Sequence, residues 1–307
     1  MRCGPSRAGE IMNKLQGLFS YLIYPFIVWG GGAILIFAIG SNVNYWLVVP
    51  PLLIAAATIV TVLERILPYE TNPESPPLAT DAAHYLVNYF IKQSALIMYA
   101  QLVASIGVFG DWWSKSLPFA AQVILVLVVI DFFLYAVHRR SHENSFLWRF
   151  HALHHSSEQL YWLNGEKRHP LHQIMEGLPG ITVVMLLGAP APVVVAALAI
   201  LALNMMLQHG NIDYRAGILR RVFSVAELHR WHHLRDAERS KVNFGAWLVI
   251  WDMIFGTYSD PAGQVRWDKS KNEIGVEEAH PKTYFRQLLY PFKFPEGEKD
   301  EEVRQCN

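Results

Sequence analysis

Long apolar runs separated by short polar breaks set the pattern of this chain. The first runs over residues 17–40, long enough to cross a bilayer, which takes roughly 20 residues. A four-residue break, Ser41 to Asn44, leads into a second run over 45–67 that ends in ERILPYE. So short a break fits a tight helical hairpin, and Pro50 and Pro51 predict a kink in its second limb. Residues 70–81 (ETNPESPPLATD) read as a proline-rich polar loop. A third run over 84–110 is interrupted by Lys92 and Gln93, and DWWSKSLP then makes a turn. The fourth run, 119–137, is the most uniform and leads straight into HRRSH.

Beyond it, the apolar stretch 177–207 is broken by GAPAP at 188–192, which predicts a hairpin that dips into the membrane or barely spans it. VNFGAWLVIWDMIFGTY (242–258) reads as an amphipathic or interfacial element, and from 259 onward the tail is polar. Within that tail, YFRQLLYPF (284–292) fits either a membrane-surface helix or a plain packing segment. The expected fold is all-α: about four full transmembrane spans plus the hairpin, under a histidine-rich helical cap. Three regions follow: N-terminal membrane hairpins over 1–130, a histidine-motif core over 131–258 and a C-terminal tail over 259–307.

Composition agrees. Of 307 residues, 52% are hydrophobic and 17% charged, with a mean hydropathy of +0.19, too apolar for an ordinary soluble domain. Net charge is zero and no basic tract fits nucleic acid. Cys3 and Cys306, at opposite ends, form neither a disulfide framework nor a CxxC motif. The basic N-terminus (Arg2, Arg7, Lys14) precedes a run too long for a signal-peptide core, so the run is expected to remain as an anchor. With that end cytoplasmic, each hairpin returns the chain to the same side. All histidine motifs then share the cytoplasmic face with Arg139, Arg140, Arg149, Lys167, Arg168, Arg220 and Arg221.

Residues 131–172 hold seven of the thirteen histidines. HRRSH supplies His138 and His142; HALHH supplies His151, His154 and His155; HRWHH, far downstream, repeats that spacing with His229, His232 and His233. On a helix, positions i, i+3 and i+4 share a face, so each motif sets imidazoles side by side as a chelate. Imidazole suits zinc, copper, iron and nickel. A structural zinc site needs four ligands and usually draws on cysteine. Eight histidines without cysteine point to two ions. Asp131, two turns before His138, is an ionisable group inside an apolar run, a costly placement that implies either orienting a ligand ring or packing helices.

The ordered set D-x-x-x-Y-x-x-HRRSH, WRFHALHH, RHPLH, QHGN, LHRWHH and WDMIFGTY resembles the fatty acid hydroxylase and sterol desaturase superfamily of integral-membrane di-iron oxygenases, over 131–258, with weaker similarity at ERILPYE. The resemblance implies that the eight motif histidines bind a pair of iron ions, with His209 of QHGN and His169 of RHPLH as further ligands. His172 stands where many relatives carry an acidic residue and is left out, and His84 and His280 have no motif around them. Asp131, Tyr135, Asn211, Asp213 and Asp252 are candidates to orient the rings. The implied reaction uses O2 and external electrons to hydroxylate a membrane lipid such as a sterol or fatty acyl chain. Desaturation at the same site, or a non-catalytic metal-binding membrane protein, are the alternatives. The chain has no dinucleotide fingerprint and no haem domain, so electrons would come from a separate ferredoxin or cytochrome with its reductase. The host membrane is the bacterial inner membrane or the endoplasmic reticulum, and the oligomeric state stays open.

Overall fold

The computed structural model describes residues 17–71, 76–106, 112–113, 116–261 and 273–293. Arg2, Arg7, Lys14, both cysteines, the middle of the 70–81 loop and the end of the third run lie outside the described residues. The fold is helical, and the described residues pair only at isolated bridges such as Phe223 with Leu248. Among the described residues, four helices are long and apolar enough to cross a membrane: α1 (Gly17–Gly40), α2 (Tyr45–Ile66), α4 (Phe119–Glu143) and α7 (Ala191–His209). The expectation of four spans holds in number and differs in membership. The third run forms α3 (Leu78–Ile106), which falls short of that apolarity, and the second limb of the GAPAP hairpin takes its place.

The reason for α3 is visible on its inner face. Asp81, His84 and Asn88 are fully buried there, and Asn88 Nδ2 donates to the carbonyls of Glu166 and Arg168 at 3.0 and 2.9 Å. His84 Nε2 lies 2.8 Å from Gln287 Oε1. This helix is polar because it holds the cap.

The core is built around α7, which packs against α1, α2 and α4. Close approach to α1 relies on Gly31, where a Cβ would stand 2.6 Å from Leu203 Cδ1. Just before it, α1 opens into a π-helical stretch at Pro25–Gly30, where Pro25 has no N–H to offer the ladder. The buried Asn204 of α7 accepts from Tyr24 Oη at 2.6 Å and donates to the carbonyls of Ser224 and Ala246, so one intramembrane amide joins two helices and two loops.

Helix α4 carries a buried apolar stripe, made by Val123, Val126, Leu127, Ile130 and Leu134, that continues on the same face into His138 and Ser141. Asn144 both ends α4 and caps α5 (Ser145–His155), accepting from Leu147 N at 3.0 Å. After a 3-10 turn, Trp162–Glu166, comes α6 (Pro170–Leu186). The GAPAP turn uses Gly188 at φ +84° before α7 begins. The remaining helices are short: α8 (Ala226–His232), α9 (Ile250–Ile254) and α10 (Tyr284–Leu289).

Candidate metal centre

HRRSH is the last turn of α4, HALHH the last of α5, and HRWHH closes α8 with His233 as its cap. His209 is the final residue of α7. Four helix ends therefore meet at one point, and their imidazoles sort into two groups. His138, His142, His151, His155 and His232 form one; His154, His209, His229 and His233 form the other, with the ligand atoms of each group within 4.8 Å of one another. The HxxHH spacing accounts for the partition. In α5 the i and i+4 rings (His151, His155) enter the first group and the i+3 ring (His154) the second. In α8 and its cap the assignment is reversed: His229 and His233 enter the second group and His232 the first. The groups abut, since the His155 and His233 rings stack at 4.4 Å and 24°.

Backbone carbonyls set the orientation of three of the nine rings. His138 Nδ1 lies 2.8 Å from Phe244 O, His232 Nδ1 3.0 Å from the carbonyls of both Ser240 and Val242, and His209 Nδ1 3.1 Å from Met205 O. A carbonyl only accepts, so each of these Nδ1 atoms carries the proton and each Nε2 presents a lone pair. His138 and His232 then aim two lone pairs at each other across 2.9 Å. In the second group, His209 Nε2 stands 3.1 Å from His229 Nε2 and 3.3 Å from His154 Nε2. Lone pairs that close repel unless a cation lies between them. Two nitrogens held at right angles to one ion, about 2.1 Å from it, are about 3.0 Å apart. The donor set thus fits a divalent ion in each group.

Electrostatics favour the ligand form. Burial, the largest cause, holds His151, His154, His155, His229, His232 and His233 well below the ordinary histidine range, and the neighbouring rings push in the same direction. Neutral imidazoles are what a metal requires.

The structure brings together nine of the ten histidines expected, and His169 stands apart. It caps α6: His169 Nδ1 accepts from Leu171 N at 3.2 Å while Nε2 lies 3.1 Å from Leu288 O, so neither nitrogen faces the centre. His172 is also outside both groups, 2.9 Å from Ser141 Oγ.

The residues expected to orient the rings make no direct contact with them. Asp131 touches no imidazole; it accepts from Trp247 N (2.7 Å), Leu248 N (3.0 Å) and Trp251 Nε1 (3.0 Å). Asp252 accepts from Phe244 N, Gly245 N and Thr257 Oγ1, and so reaches His138 only through the backbone of Phe244. Tyr135 Oη pairs with Thr257 Oγ1 at 2.9 Å. Asn211 exchanges hydrogen bonds with the backbone of Glu70, and Asp213 is exposed.

Two supports escape sequence reasoning. Glu64 Oε1, at the end of α2, accepts from Trp162 N at 2.7 Å and Asn211 N at 2.9 Å, fastening both segments that flank His209. An ionisable residue closing an apolar run is the available signal. Gly165 lies against the His209 ring, where a Cβ would come within 2.8 Å of Cγ. No pattern in the sequence announces that contact.

Membrane helices ending in two all-imidazole groups define an integral-membrane metalloprotein. The comparisons with known proteins specify it. Residues 123–257 match the fatty acid hydroxylase family. The ornithine lipid hydroxylase OlsE of Rhizobium tropici is 33% identical over 291 residues, covering 91% of this chain and 86% of that protein. The alkylglycerol monooxygenase of Danio rerio is 27% identical over 203 residues, 61% of this chain and 44% of that protein. Sphinganine C4-monooxygenase 1 of Arabidopsis thaliana is 25% identical over 174 residues, 55% of this chain and 64% of that protein. No solved structure matches. The chain belongs to the fatty acid hydroxylase family, whose relatives here are named as hydroxylases and monooxygenases acting on lipids. It is an oxygenase with a metal-dependent centre.

Proposed function

We propose that the chain hydroxylates an acyl lipid within the bilayer, using O2, a pair of iron ions held by the nine converging histidines, and electrons from a separate ferredoxin or cytochrome with its reductase. The ornithine-containing lipids named for the Rhizobium tropici relative are the first substrate class to test. The observation that carries the reading is the 2.9 Å approach of the Nε2 atoms of His138 and His232, both rings already donating through Nδ1, which leaves a cation as the partner for their inward nitrogens. Bound there, the iron pair supplies activation of O2 for attack on an unactivated C–H bond.

The chain's own residues do the rest. The clamped segment 242–248 fixes the rings of His138 and His232, and the closed packing of four helix ends keeps bulk water from the donor atoms. His142 is the one ligand of the nine that is not fully buried, and the indole of Trp148 lies 5.0 Å from its ring. That edge of the first group is the side from which substrate approaches. Residues 131–258 form the oxygenase core, 1–130 anchor it, and the centre faces the cytoplasm, where a soluble electron donor reaches it.

The test is expression of the full chain in a host whose lipids contain the candidate acyl chains, under isotopically labelled O2, followed by lipid mass spectrometry. A product carrying one labelled oxygen supports hydroxylation. An unlabelled alkene assigns desaturation instead, and unchanged lipids in the presence of iron-loaded protein and a working reductase overturn the proposal.

A further inference from the structure

Residues 243–257 contain a single charged residue, Asp252, and it is turned inward. Around it the outward positions are apolar: Ile250, Met253, Ile254 and Phe255 on and beside α9 are all exposed, Ile254 at 61%. The neighbouring turn adds Ile218 and Val222, and the two stretches are joined by Val249 N to Val222 O at 3.0 Å and Ser224 N to Trp247 O at 2.8 Å. They form one apolar platform.

Its position follows from Asp131. That carboxylate sits in the middle of α4, a candidate membrane span, with no other charged residue from Phe119 to Val137. Its three donors come from Trp247, Leu248 and Trp251, so the start of α9 lies alongside the span rather than above it. Trp251 also packs on Phe132 of α4 at 5.0 Å. Irregular backbone at membrane depth must have its polar groups satisfied inside the protein. Here they are: Asp131 takes the N–H groups of residues 247 and 248, Asp252 those of 244 and 245, and Arg139 Nη1 reaches Phe255 O at 3.4 Å. A surface loop in water would need no buried carboxylate for this purpose.

We propose that α9 and the turn before it are a lipid-immersed wedge, seated among the acyl chains of the leaflet that borders the metal centre. The occupant of the platform is the bilayer, because the platform continues the lipid-facing side of α4, on which Ile124 and Leu125 are also exposed. Arg139, at the end of α4 and reaching Phe255 O, marks the headgroup level above it. The wedge brings lipid within one loop of the ligands, since Phe244 packs at 5.2 Å from the His142 ring and 5.1 Å from that of His232. A membrane lipid then reaches the centre laterally.

The inference rests on the chain being embedded, and the experiment separates the two. In the full chain carrying Cys3→Ser and Cys306→Ser, single cysteines are introduced at Ile254, at Ile250 as a second wedge position, at Ile54 on the exposed side of α2, and at Glu238 on the polar cap. Each is labelled with an environment-sensitive fluorophore in phosphatidylcholine and phosphatidylglycerol vesicles, and quenched by doxyl-labelled lipid or aqueous iodide. Wedge probes should follow Ile54, quenched at least about threefold more by lipid than by iodide, with Glu238 reversed. Iodide access at both wedge positions equal to that at Glu238 overturns the proposal. So does quenching by neither agent, the result expected if a second copy of the chain covers the platform. Iodide access at Ile54 would remove the embedded reading itself.

Discussion

Phe244 stands between Asp252 and His138: its N–H donates to the carboxylate at 2.8 Å and its carbonyl receives His138 Nδ1, also at 2.8 Å. One residue thus passes the position of a carboxylate to a ligand ring without their touching. Removing partners that orient metal ligands typically costs about 10–100-fold in metal affinity. Asp252→Ala should therefore weaken metal binding in the first group by about that factor, measured by competition with a chelator, while the second group keeps its ion. Equal loss from both groups would show that the relay is not specific to His138.

The two-group partition makes a stoichiometric prediction. His154→Ala removes a donor from the second group and His151→Ala from the first. Each variant should retain about half the metal of the native chain, because metal binding requires a complete set of deprotonated donors. Elemental mass spectrometry of anaerobically purified protein reads this directly. Hydroxylation should be abolished in both, with membrane insertion unchanged.

Glu64 separates geometry from charge. Both of its contacts use Oε1 as an acceptor, so Glu64→Gln preserves them. Glu64→Ala leaves two backbone N–H groups without their acceptor, at about 1–3 kcal/mol each. The expected result is near-native thermal stability and metal content for the glutamine variant and loss of both for the alanine variant. A glutamine variant as damaged as alanine would assign the role to the negative charge instead.

The buried imidazoles of the cap also set a pH dependence. Their folded-state values lie well below the ordinary histidine value because burial disfavours the charged form. Unfolding in acid therefore takes up protons, and the stability of metal-stripped protein is complete above about pH 6.5 and falls as pH drops below it. Each such group contributes up to about 1.4 kcal/mol per pH unit across that window. Denaturation in detergent at about pH 7.5 and about pH 5.5 should show the acid sample less stable, and bound metal should reduce the difference by competing with protons.

The histidine spacing is legible because it is local: i, i+3 and i+4 on a helix fix which rings neighbour one another, whatever the rest of the chain does. The all-helical membrane architecture is legible for a similar reason, since a bilayer-length apolar run is a property of one segment. What the sequence conceals is long-range or depends on a single backbone detail. Asp131 stands out as a costly charge in an apolar span, yet its partners lie 116 to 120 positions downstream and include peptide groups, which have no sequence signature. His169 precedes Pro170, and a residue before a helix-starting proline occupies the cap, so its ring turns back to Leu171 N instead of inward. The polar positions of α3 look like a weak span, because the cap that buries them comes from residues far along the chain.

His138 and His142 end α4, and His209 ends α7, so part of the donor set hangs from the tips of two candidate spans while the rest belongs to the cap. Spans answer a bilayer that is too thick or too thin by tilting. Tilt in α4 or α7 moves their tips relative to the cap, and the spacing of donors around each ion moves with them. Hydrocarbon thickness then becomes an input to the centre, and turnover should peak in vesicles whose acyl chains match the length of α7 and decline on either side.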